Sequence, residues 1–367
     1  MAATASGSAD DSKQIKCDEE LWYSDGNIVL IAQNHAFRVY KGQLAQHSEV
    51  FSGLFSMQHT GEENMEDCPV VHLPDSANEL RHLLRFIFYY RKYYKDDIVL
   101  KFPTVAGLIR IGHKYLVHES VAEGLSRLRS IYGTHLPDYI AFRRRRDRKT
   151  RGMQYRPKHA IGVVNLARLI SADDILPTAL YDCCHLSTHI LTNGVRYADG
   201  SIERLAPNDL AICFDGQRRL MFANSSAFYK MFDLDANRPR SGRYGCYTVG
   251  ECGSALDAII DDCIERGLQL HPNGLAIWSS IINLRKSSIQ ERLESLGSAL
   301  CPSCRRFLNY HNNEAWYTLS DTLPSIFGLT VENWESSHPS RPREVENVER
   351  PPSSTSELAS ETDSEPL

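Results

Sequence analysis

Apolar positions in the first third of the chain switch between a period of two and a period near 3.6. "NIVLIA" (residues 27–32) is a short apolar run bounded by Asp25-Gly26, and "AFRVY" (36–40) sets Phe37 and Val39 against Arg38. These patterns predict two strands, with "QNH" between them as a hairpin loop. "GQLAQHSEVFSGLF" (42–55) then predicts helix through Leu44, Val50, Phe51, Leu54 and Phe55, with Ser48 as the N-cap of its second half. A polar loop, "SMQHTGEENMED", leads to another strand, "PVVHL". In "PDSANELRHLLRFIFYY", Leu80, Leu83, Leu84, Ile87 and Phe88 share one helical face, and Ser76 with Glu79 predicts a capping box. "TVAGLIRIGHKYL" repeats the spacing with Val105, Leu108, Ile109 and Leu116. "ESVAEGLSRL" predicts a second capping box (Ser120, Glu123) and an apolar face of Val121, Leu125 and Leu128.

After this unit comes a basic run, "RRRRDRKTR", comprising Arg143, Arg144, Arg145, Arg146, Arg148, Lys149 and Arg151 around Asp147 and Thr150. The remainder predicts mostly helix with long loops, through "AIGVVNLARLISADDILPTALYDCC", "SALDAIIDDCIERGLQL" and "GLAIWSSIINLRKSSIQERLESL". The expected class is α+β, a small sheet with helices followed by a mostly α-helical C-terminal domain. The expected boundaries are a disordered N-terminus at 1–19, a first domain at 20–131, a basic linker at 132–158, a helical domain at 159–334 and a disordered tail at 335–367. Both ends are too polar to bury an ordering core. No internal repeat and no heptad run is found.

At 367 residues, 42% apolar and 24% charged, the composition is that of a globular protein with room for two domains. A net charge of -5 gives no overall pull toward nucleic acid or an anionic membrane. No apolar run reaches membrane-spanning length, and the start "MAATASGSADDSK" lacks a secretory signal. An intracellular, reducing location, nucleus or cytoplasm, is therefore expected, with the ten cysteines as free thiols or metal ligands.

Two cysteine pairs raise the question of a metal. Cys301-Pro-Ser-Cys304 is a C-x-x-C, whose spacing lets both sulfurs face one tetrahedral centre. Cys246 and Cys252, a C-x5-C, would complete a four-cysteine structural zinc site; the alternative is two pairs of buried thiols. Cys183, Cys184, His185 and His189 form a second metal candidate, against a core reading. A redox C-x-x-C lacks its preceding strand. The basic run reads as a solvated linker, or as a nuclear import signal or phosphate contact. Nucleotide-binding, nucleophile-elbow and zinc-protease signatures are absent, so no catalytic residue and no enzyme activity is expected, and no cofactor beyond the candidate zinc.

Taken in order, "SDGNIVLIAQNHAFRVYKGQLAQHSEVFSGLF" and "PVVHLPDSANELRHLLRFIFYY", with the helices to Leu128, resemble a BTB/POZ domain. "ILPTALYDCC", "CPSCRRF" and "LPSIFGLTVENW" are similar to the region beside BTB domains in proteins of mushroom-forming fungi. The resemblance implies a protein-binding scaffold or adaptor without catalysis, partnered by other proteins or by a second copy of itself. It implies a partner-binding surface through Asn27, Lys41, Gln43, His47 and Met57. Lys41 occupies the family's basic position before the first helix, and Asn27 stands where self-associating members carry a buried acid. The alternatives are a substrate receptor of a cullin-type ubiquitin ligase and a nuclear transcription or chromatin-associated regulator. The cullin-binding motif has no clear placement in "SMQHTGEENMED", and neither nucleic acid nor membrane is the expected partner.

Overall fold

Strand β2 (Ile28–Ala32) is buried along its whole length, which puts it at the centre of a sheet. It runs antiparallel to β3 (His35–Val39), pairing Ile28 with Val39 and Ala32 with His35. Only Gln33 and Asn34 form the turn, tighter than the three-residue loop expected, with Gln33 at a left-handed φ of 54°. On its other side β2 pairs in parallel with β5 (Cys68–Leu73), and β4 (Asn64–Met65) closes that edge. The opposite edge is β1 (Lys16–Trp22), parallel to β3, giving the order β1-β3-β2-β5-β4. The computed structural model describes residues 15–57, 63–95, 98–134, 139–140, 142, 152–154, 156–197, 200–232, 246–272, 300–332 and 334.

Strand β1 begins inside the span expected to be disordered, because its anchors are charges that an apolar pattern does not reveal. Asp18 is buried, accepts the backbone N–H groups of Glu20 and Leu21, and pairs with Arg81 at 2.7 Å. Glu20 pairs with Arg85 at 2.7 Å and Lys92 at 2.6 Å, and accepts from the Tyr93 hydroxyl. Burial opposes ionisation of Glu20, but the Lys92, Tyr93 and Arg85 donors outweigh it and hold the carboxyl at about 2. A depressed carboxylate contributes stability above its unfolded value, and that stability is lost as pH falls toward the folded one. Glu20→Gln is expected to cost about 2 kcal/mol at neutral pH. Urea titrations should show that difference shrinking between about pH 4.5 and pH 2; a constant difference across that range would remove the ion-pair account.

Helices cover the sheet face formed by Ile28, Leu30, Phe37 and Val39. Helices α1 (Lys41–His47) and α2 (Glu49–Ser56) are separated at Ser48, whose extended backbone and hydroxyl cap α2 by accepting the Phe51 N–H at 3.0 Å. Helix α3 (Ala77–Tyr93) buries Leu80, Leu83, Leu84 and Ile87, with Phe88 half-buried. The capping box expected at its start does not form: Ser76 makes no side-chain cap, and Gln33 from the hairpin accepts the Ala77 N–H at 3.3 Å. Glu79 turns instead to Arg110 at 3.5 Å.

Helix α4 (Phe102–Lys114) buries Val105, Leu108 and Ile109 as expected, but Leu116 lies beyond it, exposed, at φ 53°. The N–H groups of Val117 and Leu116 bond the carbonyls of Gly112 (2.8 Å) and His113 (3.3 Å), so Leu116 fills the left-handed position where glycine is usual. Helix α5 (His118–Arg129) starts before the second expected capping box, and Ser120 is buried inside it, donating to the Leu108 carbonyl at 2.9 Å. Its buried face is Ser120, Gly124, Arg127 and Leu128, whereas Val121 and Leu125 are only half-buried. Small residues let the two helices close: a Cβ on Gly124 would lie 2.4 Å from Ile109.

The chain crosses to the second region through β6 (Leu100–Lys101), which pairs in parallel with β7 (Met153–Gln154). Met153 is buried, so part of the span expected as linker is structural. Helices α6 (Ala160–Leu169) and α7 (Leu176–Cys183) are nearly all buried, divided by Ser171 at φ 54° and a 3-10 turn at Asp173–Ile175. After α8 (Thr188–Asn193) and the hairpin β8 (Val195–Arg196) with β9 (Ile202–Glu203) come two long helices, α9 (Pro207–Phe232) and α11 (Pro302–Ile326). The sequence reading marks neither. Between them lies α10 (Val249–Glu265). The expected helix at 274–296 falls outside the described residues.

One hydrophobic cluster runs from Leu21 through α4, α6 and α7 to Phe327. Phe102 stacks on His159 at 4.6 Å, Arg129 makes a two-pronged pair with Asp174, and Arg110 pairs with Glu203. The described residues belong to one compact unit ending at Ser337. Among them, no helix is long and apolar enough to cross a membrane.

Candidate functional site

Of the five surface residues expected to bind a partner, two are joined. The Lys41 backbone N–H donates to Asn27 Oδ1 at 2.8 Å, so Asn27 satisfies the first turn of α1 from across the hairpin. The Lys41 ammonium lies 5.4 Å from the centre of the Phe55 ring, a cation–π contact linking α1 to α2. Gln43 is half-buried and reaches the Ile87 carbonyl at 3.5 Å, tying α1 to α3. His47 is half-buried in the last turn of α1. Met57, just past α2, is 63% exposed beside the half-buried Leu54 and Phe55. The end of α2 thus offers an apolar tip with a lysine at its side.

The other candidate is the cysteine set. Cys301 is the N-cap of α11 and Cys304 lies in its first turn. Cys246 precedes α10, and Cys252 lies one turn inside it. The fold brings these four sulfurs to one place, all within 4.8 Å of one another. Cys246, Cys252 and Cys304 are buried and Cys301 half-buried, and all four are free thiols. The Cys301 backbone N–H donates to Cys252 Sγ at 3.2 Å, and the Thr248 hydroxyl lies 3.2 Å from the same sulfur. Burial opposes ionisation of Cys301, but N–H groups of Cys304 and Tyr247 and the neighbouring thiols draw it down to about 6.

Among the described residues, these four are the one His, Cys, Asp or Glu group that converges closely enough for a metal. Cys183, Cys184, His185 and His189 do not. Cys184 donates to the Cys213 carbonyl at 3.4 Å, and His185 Nδ1 lies 2.6 Å from the Tyr181 carbonyl. Burial pushes the Cys183 thiol up, as expected of a core thiol. The basic residues Arg143 to Arg146, Arg148, Lys149 and Arg151 lie outside the described residues.

Sequence reasoning misses Arg127, which looks like a solvent-facing residue of an amphipathic helix. It is 5% exposed, pairs with Glu123 and donates to the carbonyls of Tyr94, Ile98 and Gly152. Beyond its i,i+4 partner Glu123, no local signal reveals this, because the carbonyl acceptors lie 25 to 33 positions away in sequence.

The N-terminal segment is thus a small five-stranded sheet whose Ile28, Leu30, Phe37 and Val39 face packs into a core shared with helices. Residues 21–129 match the BTB/POZ domain family, which identifies that segment as a BTB/POZ domain. No curated protein matches the chain.

Proposed function

We propose that this protein is a non-catalytic adaptor that docks other proteins through its BTB/POZ domain and holds them in fixed relation to its helical region. The observation that carries the reading is the BTB/POZ domain at 21–129, a protein–protein interaction module, sharing a single core with the helices that follow. A shared core transmits geometry, so whatever binds one region is oriented against the other. The contact surface is the end of α2, where Met57, Phe55 and Leu54 supply apolar area and Lys41 supplies charge.

The full chain, carried in two differently tagged copies and recovered under mild lysis, tests this. A second copy or another protein should be recovered in stoichiometric amount and be lost with Met57→Glu at unchanged melting temperature. A monomer that retains no stoichiometric partner would sink the reading. A cullin or a chromatin component among the partners would narrow it to ligase receptor or nuclear regulator.

A further inference from the structure

We infer that Cys246, Cys252, Cys301 and Cys304 bind one zinc ion that clamps the N-terminal ends of α10 and α11 together. Four thiolates around zinc at about 2.3 Å place their sulfurs about 3.8 Å apart at the corners of a tetrahedron. Here Cys246 Sγ and Cys301 Sγ are 3.9 Å apart, and no pair among the four exceeds 4.8 Å. A disulfide pair would sit at about 2 Å, and scattered core thiols have no reason to converge four at a time. Separations of this size match the sulfur–sulfur distances in the shell of one four-coordinate ion.

The surroundings favour a charged thiolate cluster. Both cysteine pairs sit at helix N-termini, where free backbone N–H groups and the helix dipole stabilise negative charge. One such group donates to sulfur, the Cys301 N–H to Cys252 Sγ at 3.2 Å, and the Thr248 hydroxyl lies 3.2 Å from the same atom. Donors of this kind orient the ligands of a metal and offset the net negative charge that four thiolates leave on zinc. Pro302 at the first helical position fixes the entry of α11, so the C-x-x-C presents both sulfurs on one side of the helix start.

The clamp also answers a structural need. Helix α10 buries Cys252, Ala255, Ile259, Ile260, Asp262 and Cys263 on one face. Its C-terminal end is followed by the 3-10 turn Leu268–Leu270, whose carbonyls accept from Asn224 of α9, and its N-terminal end meets α11 at the sulfurs. A metal there would pin the second end of α10. All four ligands are cysteines with no open position for water, so the site is structural rather than hydrolytic.

Metal analysis of the full chain, purified without chelators, is the test. About one equivalent of zinc per chain is expected, retained in Cys17→Ser, whose cysteine is exposed and outside the cluster. Cys301→Ser/Cys304→Ser should fall below about a tenth of an equivalent. Should that variant not fold, chelator-stripped wild type titrated with Co2+ should develop the visible bands of tetrahedral cobalt with thiolate charge transfer, and Zn2+ should bleach them. Under a tenth of an equivalent of metal in wild type together with no tetrahedral cobalt spectrum would overturn the assignment. So would iron in place of zinc, or disulfides among these four cysteines in protein handled under reducing conditions.

Discussion

Arg127→Ala is expected to lower the unfolding free energy by about 3–5 kcal/mol, the cost of breaking a buried, fully paired charge. The guanidinium donates to the carbonyls of Ile98 at 2.6 Å, Gly152 at 2.9 Å and Tyr94 at 2.7 Å, and pairs with Glu123 at 2.7 Å. Truncation removes the arginine donor from the Tyr94 and Ile98 carbonyls and the cation from Glu123, while Gly152 keeps the Leu100 N–H and Glu123 keeps the Tyr90 hydroxyl. Each buried group left unsatisfied costs about 1–3 kcal/mol. Water entering the void recovers part of that sum, which keeps the expectation below the simple total. Lysine does not substitute, since one ammonium cannot reach four acceptors that a planar fork spans. Gly152 is matched to the arginine: its φ is +122°, and a Cβ there would lie 2.7 Å from Arg127 Cδ. Arg127 therefore holds the β6–β7 crossing, where the BTB/POZ domain joins the helical region. Urea midpoints of wild type and variant decide the matter. A shift worth less than about 0.5 kcal/mol would mean the side chain is solvated and the crossing is held by Met153 and its neighbours instead.

What the sequence reveals of this fold follows the range over which each determinant acts. Strands β2 and β3 and helix α3 are legible because their apolar periods are local and regular. Strand β1 is not, because Asp18 and Glu20 are held by Arg81, Arg85 and Lys92 some sixty to seventy positions later. Helix ends fail for a similar reason: the start of α3 is capped by Gln33 from the hairpin rather than by Ser76 beside it. The face of α5 is misread because close helix packing selects Ser120 and Gly124, which carry no hydrophobic signal. Helix α9 hides in the same way, burying Asp209, Gly216 and Asn224 among its apolar positions. The cysteines lie between these extremes. Cys301 and Cys304 mark themselves by spacing, and Cys246 and Cys252 are named beside them as the second pair, but their convergence becomes visible only once α10 and α11 bring their N-termini together. At the BTB/POZ surface the resemblance sets Lys41 at the family's basic position and Asn27 at its acid position, but it does not reveal their contact, in which Asn27 Oδ1 accepts the Lys41 backbone N–H at the start of α1.

Phe51→Ala is expected to cost about 3–5 kcal/mol, through lost transfer energy and an unfilled cavity. Phe51 is fully buried, its ring 4.5 Å from Tyr115 at an interplanar angle of 7° and 5.7 Å from Phe55. Ser48 adds a second tie at the same place, donating to the Tyr115 carbonyl at 2.6 Å while capping α2. Aromatic pairs contribute about 0.5–1.5 kcal/mol beyond area, so a double-mutant cycle of Phe51→Leu with Tyr115→Leu should show coupling of that size. Phe222→Ala is the control: that ring is 77% exposed on α9, and its loss should stay within about 0.5 kcal/mol. The contrast matters because α2 carries the proposed docking tip at Met57. If Phe51→Ala costs as much as expected, α2 is rooted in the core and its tip is a rigid surface, so a partner binds without first ordering the helix. A cost under about 1 kcal/mol would place α2 among the low-stability elements that open locally, and binding at Met57 would then depend on how often the helix is docked.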